Sequence, residues 1–383
     1  MDHFAPHVVD PGKYTPLTSI TPLLRARPTV PGMRRLLINF ARIGDLVMLT
    51  PALRLLSRDA ELHLVCRPWG QDILGDQGLT AGIHVLPHPN HGPFSEWLRG
   101  KPRTVLGKKL AQMAFDEVVT FGVERPVIAA WLDHHFPSVT RRVLRAEDAG
   151  YVPDSIGAAL ASAGFAGDYR AVPALTVSES RLAAARTRLS ALGRRVVLVQ
   201  AGSSSTHKWI RTKPNLRSLA PAQWASFIAR LLASDEADAV VLLGSPLERR
   251  DAEGIAALVP AAQRSGVAVW AGAAPICEQP ALAAAAHALI SVDTGPAHIA
   301  AAVSCPLLML FGPSIPERWC PRSDGPLERV IGKAPCGPCQ NTPRMAACRA
   351  NICLTRLPEE ALFTGWQRLM TQVMAQPRAG ASA

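Results

Sequence analysis

The chain has 383 residues, of which 48% are apolar, and this composition excludes a disordered protein for most of its length and allows two domains with separate cores. Aromatic residues make up only 5%, which argues against a single-stranded nucleic-acid binder that depends on base stacking. The formal net charge is +11, and the concentration of basic residues in an acid-free segment, 180–234, predicts an anionic ligand or an anionic surface as a partner.

The first 32 residues are predicted to form a Pro-rich arm. They lack a basic segment followed by an apolar core, so they do not resemble a secretory signal. No apolar run reaches the roughly 18 residues that span a bilayer. We therefore expect a cytoplasmic protein, in which the eight cysteines are free thiols or metal ligands rather than disulfides.

Apolar strand-like runs alternate with helical patterns along both halves of the chain. This alternation predicts parallel sheets covered by helices, and its two series predict two Rossmann-like domains of the α/β class. The predicted strands are 35–40, 61–66, 83–87, 117–121, 195–200, 239–244, 288–292 and 306–311. The predicted domains are 33–172 and 173–357, followed by a C-terminal helix and tail at 358–383. Ligands of such sheets bind at the carboxyl ends of the strands, so the residues there are the candidates.

The first strand is followed by Gly44 and Asp45. Gly44 suits a tight turn, and Asp45 then opens a helix. An acidic residue at a helix start is often a cap that accepts backbone N–H bonds. The alternative is a catalytic carboxylate facing the cleft between the domains, and the sequence pattern alone leaves both interpretations open.

The strand at 195–200 runs into a stretch rich in small and hydroxyl residues, AGSSSTHKWIRTKPNLR. Backbone N–H groups of such a loop, together with the four cations that follow, are groups that bind a diphosphate; these cations are Lys208, Arg211, Lys213 and Arg217. The surrounding segment 180–234 contains no Asp or Glu and carries many arginines and lysines. A solvated basic face without a specific ligand is the alternative interpretation.

Two further strand ends carry candidate ligand-binding residues. Glu248 follows the strand at 239–244, where an acid can accept ribose hydroxyls or simply favour the first turn of a helix. After the strand at 288–292, Asp293 and Thr294 can cap a helix, and Gly295 permits close approach of a backbone. The free N–H groups of that helix start attract phosphate, and His298 would point near the same anion. A lone histidine is nevertheless more often structural.

Four of the eight cysteines cluster near the C-terminus, at Cys336, Cys339, Cys348 and Cys353. A Cys-x-x-Cys pair with two more thiols downstream can hold structural zinc or iron. Reduced structural thiols and a redox pair remain alternatives.

Three stretches resemble the heptosyltransferases of glycosyltransferase family 9. They are LLINFARIGDLVMLTPALRLL, VVLLGSPLE and VDTGPAHIAAAVSCPLLMLFGPSIPERWCP. The resemblance covers most of the chain from Arg34 to Met374. It implies the GT-B fold, in which two Rossmann-like domains with parallel sheets face a central cleft. It also implies an ADP-heptose donor and an inverting transfer without a catalytic metal.

The same resemblance implies roles for the candidate residues. Asp45 matches the general base. Asp293, Thr294, Gly295 and His298 match the turn that binds the donor diphosphate, and Glu248 matches the acid that binds ribose. Arg217 is the best match to the basic residue of the donor site, and Lys208 is the next.

The acceptor is predicted to be a bacterial surface glycan such as lipopolysaccharide core. One alternative is a protein acceptor, because a branch of the family that glycosylates autotransporter proteins holds iron at cysteines in this region. Another is a UDP- or GDP-sugar donor. A basic nucleic-acid-binding protein with a thiolate metal module is the rival of a different class, although the low aromatic content argues against nucleic acid. The basic surface also predicts peripheral contact with the anionic inner face of the inner membrane.

Overall fold

The computed structural model describes residues 32–86, 101–122, 126–146, 150–165, 167–168, 171–203 and 216–376. The predicted N-terminal arm, except for its last residue, and Lys208 therefore lie outside the described residues. In the part described, no helix is both long and apolar enough to cross a membrane.

An N-terminal unit is built on a five-stranded parallel sheet in the order β3-β2-β1-β4-β5. Its strands are β1 (Arg34–Ile38), β2 (Glu61–Cys66), β3 (Gly82–Val85), β4 (Glu117–Phe121) and β5 (Thr140–Leu144). Its helices are α1 (Ile43–Met48), α2 (Thr50–Leu56), α3 (Pro68–Leu74), α4 (Lys101–Ala111), α5 (Pro126–His135) and α6 (Val152–Ser162).

A C-terminal unit is built on a six-stranded parallel sheet in the order β11-β10-β9-β6-β7-β8. Its strands are β6 (Val196–Gln200), β7 (Ala239–Leu242), β8 (Val267–Val269), β9 (Ala288–Val292), β10 (Leu307–Phe311) and β11 (Leu327–Ile331). Its helices are α7 (Glu179–Ser190), α8 (Pro221–Ala233), α9 (Arg249–Leu258), α10 (Ala261–Arg264), α11 (Gln279–Ala285), α12 (Gly295–Ala302), α13 (Pro316–Trp319), α14 (Pro343–Ala347), α15 (Ile352–Thr355) and α16 (Glu359–Ala375). Two parallel sheets with helices confirm the predicted α/β architecture.

The helix predicted after β1 is in fact two helices, α1 and α2, which meet at Leu49. Pro51 has no N–H to donate to the carbonyl of Val47, four residues earlier, and its ring crowds that turn. The hydroxyl of Thr50 donates to the Val47 carbonyl instead, at 2.9 Å. The break therefore leaves α1 as a short helix whose direction is set independently of α2.

Helix α12 lies between the two units and packs on both. Ile299 and Ala302 are buried in the core that contains the helices of the N-terminal unit. Ala297, Ala300 and Ala301 are buried in the core of the C-terminal unit. The two sets lie on different faces of one helix, and small side chains allow both units to approach closely. The alanine-rich composition of this helix thus follows from its position at the interface.

Candidate active site

The order of the second sheet brings four polar strand ends to one edge. Strands β10, β9, β6 and β7 are consecutive neighbours, and all are parallel. The residues that follow them include Ser314, Asp293, Ser203 and Glu248, and each of these side chains is buried. Carboxyl ends of adjacent parallel strands share an edge, where α/β folds bind their ligands.

Asp293 does not cap α12. Its Oδ2 accepts a hydrogen bond from the hydroxyl of Ser314 and lies 3.3 Å from Nη1 of Arg217. Nη1 of Arg217 also donates to the backbone carbonyl of Asp293 at 3.2 Å. Thr294 is the N-cap residue of α12 but makes no side-chain capping bond. The prediction that Asp293 and Thr294 cap this helix with their side chains is therefore wrong. The carboxylate of Asp293 pairs with Arg217, and the hydroxyl of Thr294 makes no capping bond.

His298 is 3% exposed and lies in α12, on the side of the N-terminal unit. Its Nδ1 has no hydrogen-bond partner among the described residues. Burial lowers the pKa of His298, and the carboxylates of Asp293 and Asp45 oppose that shift. A neutral ring offers one donor and one acceptor nitrogen, so His298 can still hydrogen-bond a bound group.

Two glycines let α1 and α12 approach each other. A methyl group on Gly44 would stand 2.7 Å from Cδ2 of His298, and one on Gly295 would stand 2.9 Å from Cβ of Ile43. His298 of α12 therefore occupies the space beside Gly44 of α1, and Ile43 of α1 occupies the space beside Gly295 of α12. Gly44 does not form the predicted tight turn, because it lies inside α1. It is needed instead because a side chain at this position would clash with His298.

Asp45 is held at the N-terminus of α1 by this packing. Its Oδ2 accepts the backbone N–H of Arg42 at 3.1 Å, so the capping interpretation is correct for one of its oxygens. The side chain is half-buried and contributes to the electrostatic environment of His298. Because the neighbouring Gly44 packs against the ring of His298, the structure brings Asp45 of one unit to the interface with α12 of the other.

Glu248 also makes a capping bond. Its Oε2 accepts the backbone N–H of Ser245 at 2.8 Å, and its Oε1 accepts the amide of Gln200 at 3.2 Å. A carboxylate has further lone pairs, so these bonds leave acceptor capacity for ligand hydroxyls. Gly202 is required beside it, because a methyl group there would stand 2.7 Å from Oε1.

Most described cations of the segment 180–234 are paired with acids from elsewhere in the chain. Their partners are Asp76 for Arg181, Glu179 for Arg186, Glu278 for Arg188, Asp235 and Asp238 for Arg195, and Glu360 for Arg230. In the described part of this segment the arginines therefore do not form one unpaired basic face, because acids from outside the segment pair with most of them. Arg217 is the described cation of this segment that reaches the strand end carrying Asp293.

The four clustered cysteines influence one another. Burial, and then the neighbouring Cys336 and Cys348, raise the pKa of Cys339, while burial raises the pKa of Cys353 to about 11. Among the described residues no group of three or more His, Cys, Asp or Glu side chains surrounds a metal position. Zinc or iron at this cluster stays a prediction, which elemental analysis of the purified protein tests.

Sequence reasoning missed Ser314 and Gln200 as site residues. Ser314 follows the buried strand β10, and Gln200 is the last residue of the buried strand β6. The expectation that ligands bind at the carboxyl ends of strands therefore applies to both residues. Their type gave no further signal, because serine and glutamine are common in loops. Only the contacts to Asp293 and Glu248 identify them.

The sequence profile of glycosyltransferase family 9 (heptosyltransferase) matches residues 118–348, more than half of the chain. No curated protein matches in sequence.

Solved structures share the fold. The ADP-heptose lipopolysaccharide heptosyltransferase II of E. coli superposes with a TM-score of 0.70 at 19% identity, covering 90% of this chain and 100% of that one. A glycosyltransferase family 9 protein of Veillonella parvula gives 0.72 at 13% identity, with 88% and 97% covered. The E. coli heptosyltransferase WaaC with ADP gives 0.56 at 18% identity, with 88% and 100% covered. This likeness establishes the GT-B fold.

Proposed function

Because this chain belongs to glycosyltransferase family 9 and is a glycosyltransferase, we propose that it transfers heptose from ADP-heptose to a bacterial surface glycan such as lipopolysaccharide core, with inversion. The donor is supported by the structural neighbours, since E. coli WaaC was solved with ADP and with an ADP-fluoroheptose. The acceptor is supported by E. coli heptosyltransferase II, which is a lipopolysaccharide heptosyltransferase.

One observation carries the proposal. The half-buried Asp45 follows Gly44, which packs against the ring of His298 at the α1–α12 interface, and the Arg217–Asp293 pair lies at the start of α12. This arrangement supports the assignment of Asp45 as the base and of the α12 start as the diphosphate site. Inverting glycosyl transfer from a sugar diphosphate needs both groups, at opposite sides of the anomeric carbon.

The proposed step follows from these positions. The Asp45 carboxylate removes the proton of the acceptor hydroxyl as the hydroxyl oxygen bonds to the anomeric carbon. The bond from that carbon to the diphosphate oxygen breaks on the opposite face, so the configuration inverts and ADP leaves with the electron pair. Arg217 and the first-turn N–H groups of α12 stabilise the charge that develops on the diphosphate.

The base is tested by Asp45→Ala. We expect turnover to fall by about 10²–10⁴-fold, the usual contribution of a general base, while ADP still raises the melting temperature as in the wild type. The matched control is Asp133→Ala, which removes an aspartate that is 69% exposed on α5 of the same unit and should leave turnover unchanged. Near-normal turnover of Asp45→Ala would mean that another group is the base.

The donor and the acceptor need separate measurements. Thermal-shift assays with ADP, UDP and GDP should show stabilisation by ADP, and stabilisation by UDP or GDP alone would rule out an ADP-sugar donor. Mass spectrometry of surface glycans and glycoproteins from a deletion strain should show a glycan that lacks heptose. A glycoprotein that lacks it instead would assign a protein acceptor.

A further inference from the structure

The segment that carries the clustered cysteines, residues 336–353 (the cysteine segment), hydrogen-bonds next to both members of the Arg217–Asp293 pair. On one side, Nδ2 of Asn351 donates to the carbonyl of Ser218, the residue after Arg217, at 2.8 Å. On the other side, two backbone N–H groups of the segment donate to the carbonyl of Pro313, at 3.0 and 2.9 Å. Pro313 precedes Ser314, whose hydroxyl donates to Asp293.

Two further described hydrogen bonds anchor Ser218, the residue next to Arg217. The hydroxyl of Ser218 donates to the carbonyl of Ala201 at 2.6 Å and accepts from Nε1 of Trp224 at 3.0 Å. Both bonds hold the side chain of Ser218, which is buried. The bond from Asn351 holds its carbonyl and so fixes the Ser218–Leu219 peptide plane, one peptide bond beyond the Arg217–Ser218 link. All three bonds are buried, where water cannot replace them.

Asn351 is suited to this role by its conformation. It is 3% exposed and adopts φ 46° and ψ 41°, in the left-handed region that asparagine tolerates better than most residues. Its Nδ2 must face the Ser218 carbonyl, which can only accept, and its Oδ1 accepts the thiol of Cys353 at 3.2 Å. Both ends of the amide are therefore used, and its orientation is determined.

We propose that Asn351 is a positioning residue for the donor diphosphate, acting through Ser218 on Arg217. The proposal rests on the proposed function, in which Arg217 binds the diphosphate. Nη1 of Arg217 reaches the carboxylate and the carbonyl of Asp293 at 3.3 and 3.2 Å, near the limit of hydrogen bonding, so a small shift of its backbone breaks this geometry. The cysteine segment thus acts as a support for the nucleotide site.

The test is a double-mutant cycle read as nucleotide affinity. Asn351→Asp keeps the shape and the left-handed backbone but places an oxygen opposite the Ser218 carbonyl. We expect the Kd for ADP, measured by calorimetry, to rise about tenfold, the effect of one buried hydrogen bond. In the Arg217→Ala background the same change should alter the Kd less than twofold, because the residue through which it acts is gone.

Two further variants keep the test decisive. Asn351→Gly preserves the left-handed backbone without the amide, and should weaken ADP binding to a similar extent if the aspartate variant does not fold. The matched control is Asn341→Gly, which changes another left-handed asparagine (φ 61°) that is exposed on the same segment, and should leave the Kd unchanged.

The outcomes separate this proposal from the proposed function. If wild-type protein binds none of ADP, UDP and GDP, both fail. If it binds one of them, that nucleotide is used for the cycle, and an unchanged Kd in both Asn351 variants overturns the positioning role alone. An equal loss of affinity with and without Arg217 also overturns it, because Asn351 would then act on the fold rather than through Arg217.

Discussion

The contact between Gly44 and His298 predicts that Gly44→Ala is destabilising and impairs catalysis. The added methyl carbon would stand 2.7 Å from Cδ2 and 3.2 Å from Nε2 of His298, well inside the usual 3.5–4.0 Å separation. The ring cannot withdraw into solvent, because His298 is 3% exposed and α12 is packed on both faces.

Two opposing effects determine the size of the change. Alanine in place of glycine inside a helix stabilises it by about 0.5–1 kcal/mol. Overpacking of a close-packed interface costs about 1–3 kcal/mol. The cost of overpacking should therefore exceed the gain in helix stability by about 1–2 kcal/mol. This difference lowers the melting temperature by a few degrees in a protein of this size. Turnover should also fall, because a shift of Gly44 moves Asp45, the next residue along α1.

The assay is thermal unfolding together with steady-state transfer of the sugar. Gly254→Ala is the matched control, because Gly254 lies in α9 and a methyl group there meets nothing within 4 Å. That variant should raise the melting temperature slightly. In the double variant with His298→Ala, the Gly44 penalty should largely disappear. A Gly44→Ala protein as stable and active as Gly254→Ala would show that the α1–α12 contact does not constrain the site.

Two further predictions concern acid stability and membranes. Hydrogen bonds from Arg195 and then Arg194 lower the pKa of Asp238 to about 2, below its ordinary 3.8. Its stabilisation is therefore complete above about pH 4 and lost as the pH falls towards 2. Asp238→Asn should lower the melting temperature at pH 7, with a gap to wild type that narrows as the pH falls from about 4 towards 2; a gap independent of pH would contradict this. The net charge of +11 predicts that the protein pellets with anionic but not neutral liposomes, and that 0.5 M salt releases it. Equal pelleting with both would remove the electrostatic explanation.

Central strands were all predicted from the sequence, whereas of the four edge strands only β3 was. Central strands such as β6 and β9 are buried throughout, so they appear as continuous apolar runs. The three strands that sequence reasoning missed, β5, β8 and β11, are all edge strands. Their residues are largely exposed or half-buried, and β5 carries Arg141 and Arg142, so no apolar run marks them.

The sequence by itself determined the chemistry available at the strand ends, because residue types and their spacing from buried strands can be read directly. It indicated Asp45, Glu248 and the helix start at Asp293 before any contact was known. It did not determine their partners. Asp293 could cap a helix or bind a cation, and the choice depended on Ser314 and Arg217, which approach it only after the sheet has formed.

The tertiary structure also decided why Gly44 and Asn351 are needed. Each is explained by a neighbour more than 100 positions away, His298 for Gly44 and Ser218 for Asn351. Local propensity carries no information on such contacts, since they arise where two units, or two distant loops, pack to the density of a protein interior. For the same reason the acid-free segment 180–234 suggested a basic face, and folding paired most of its described arginines with acids from elsewhere in the chain.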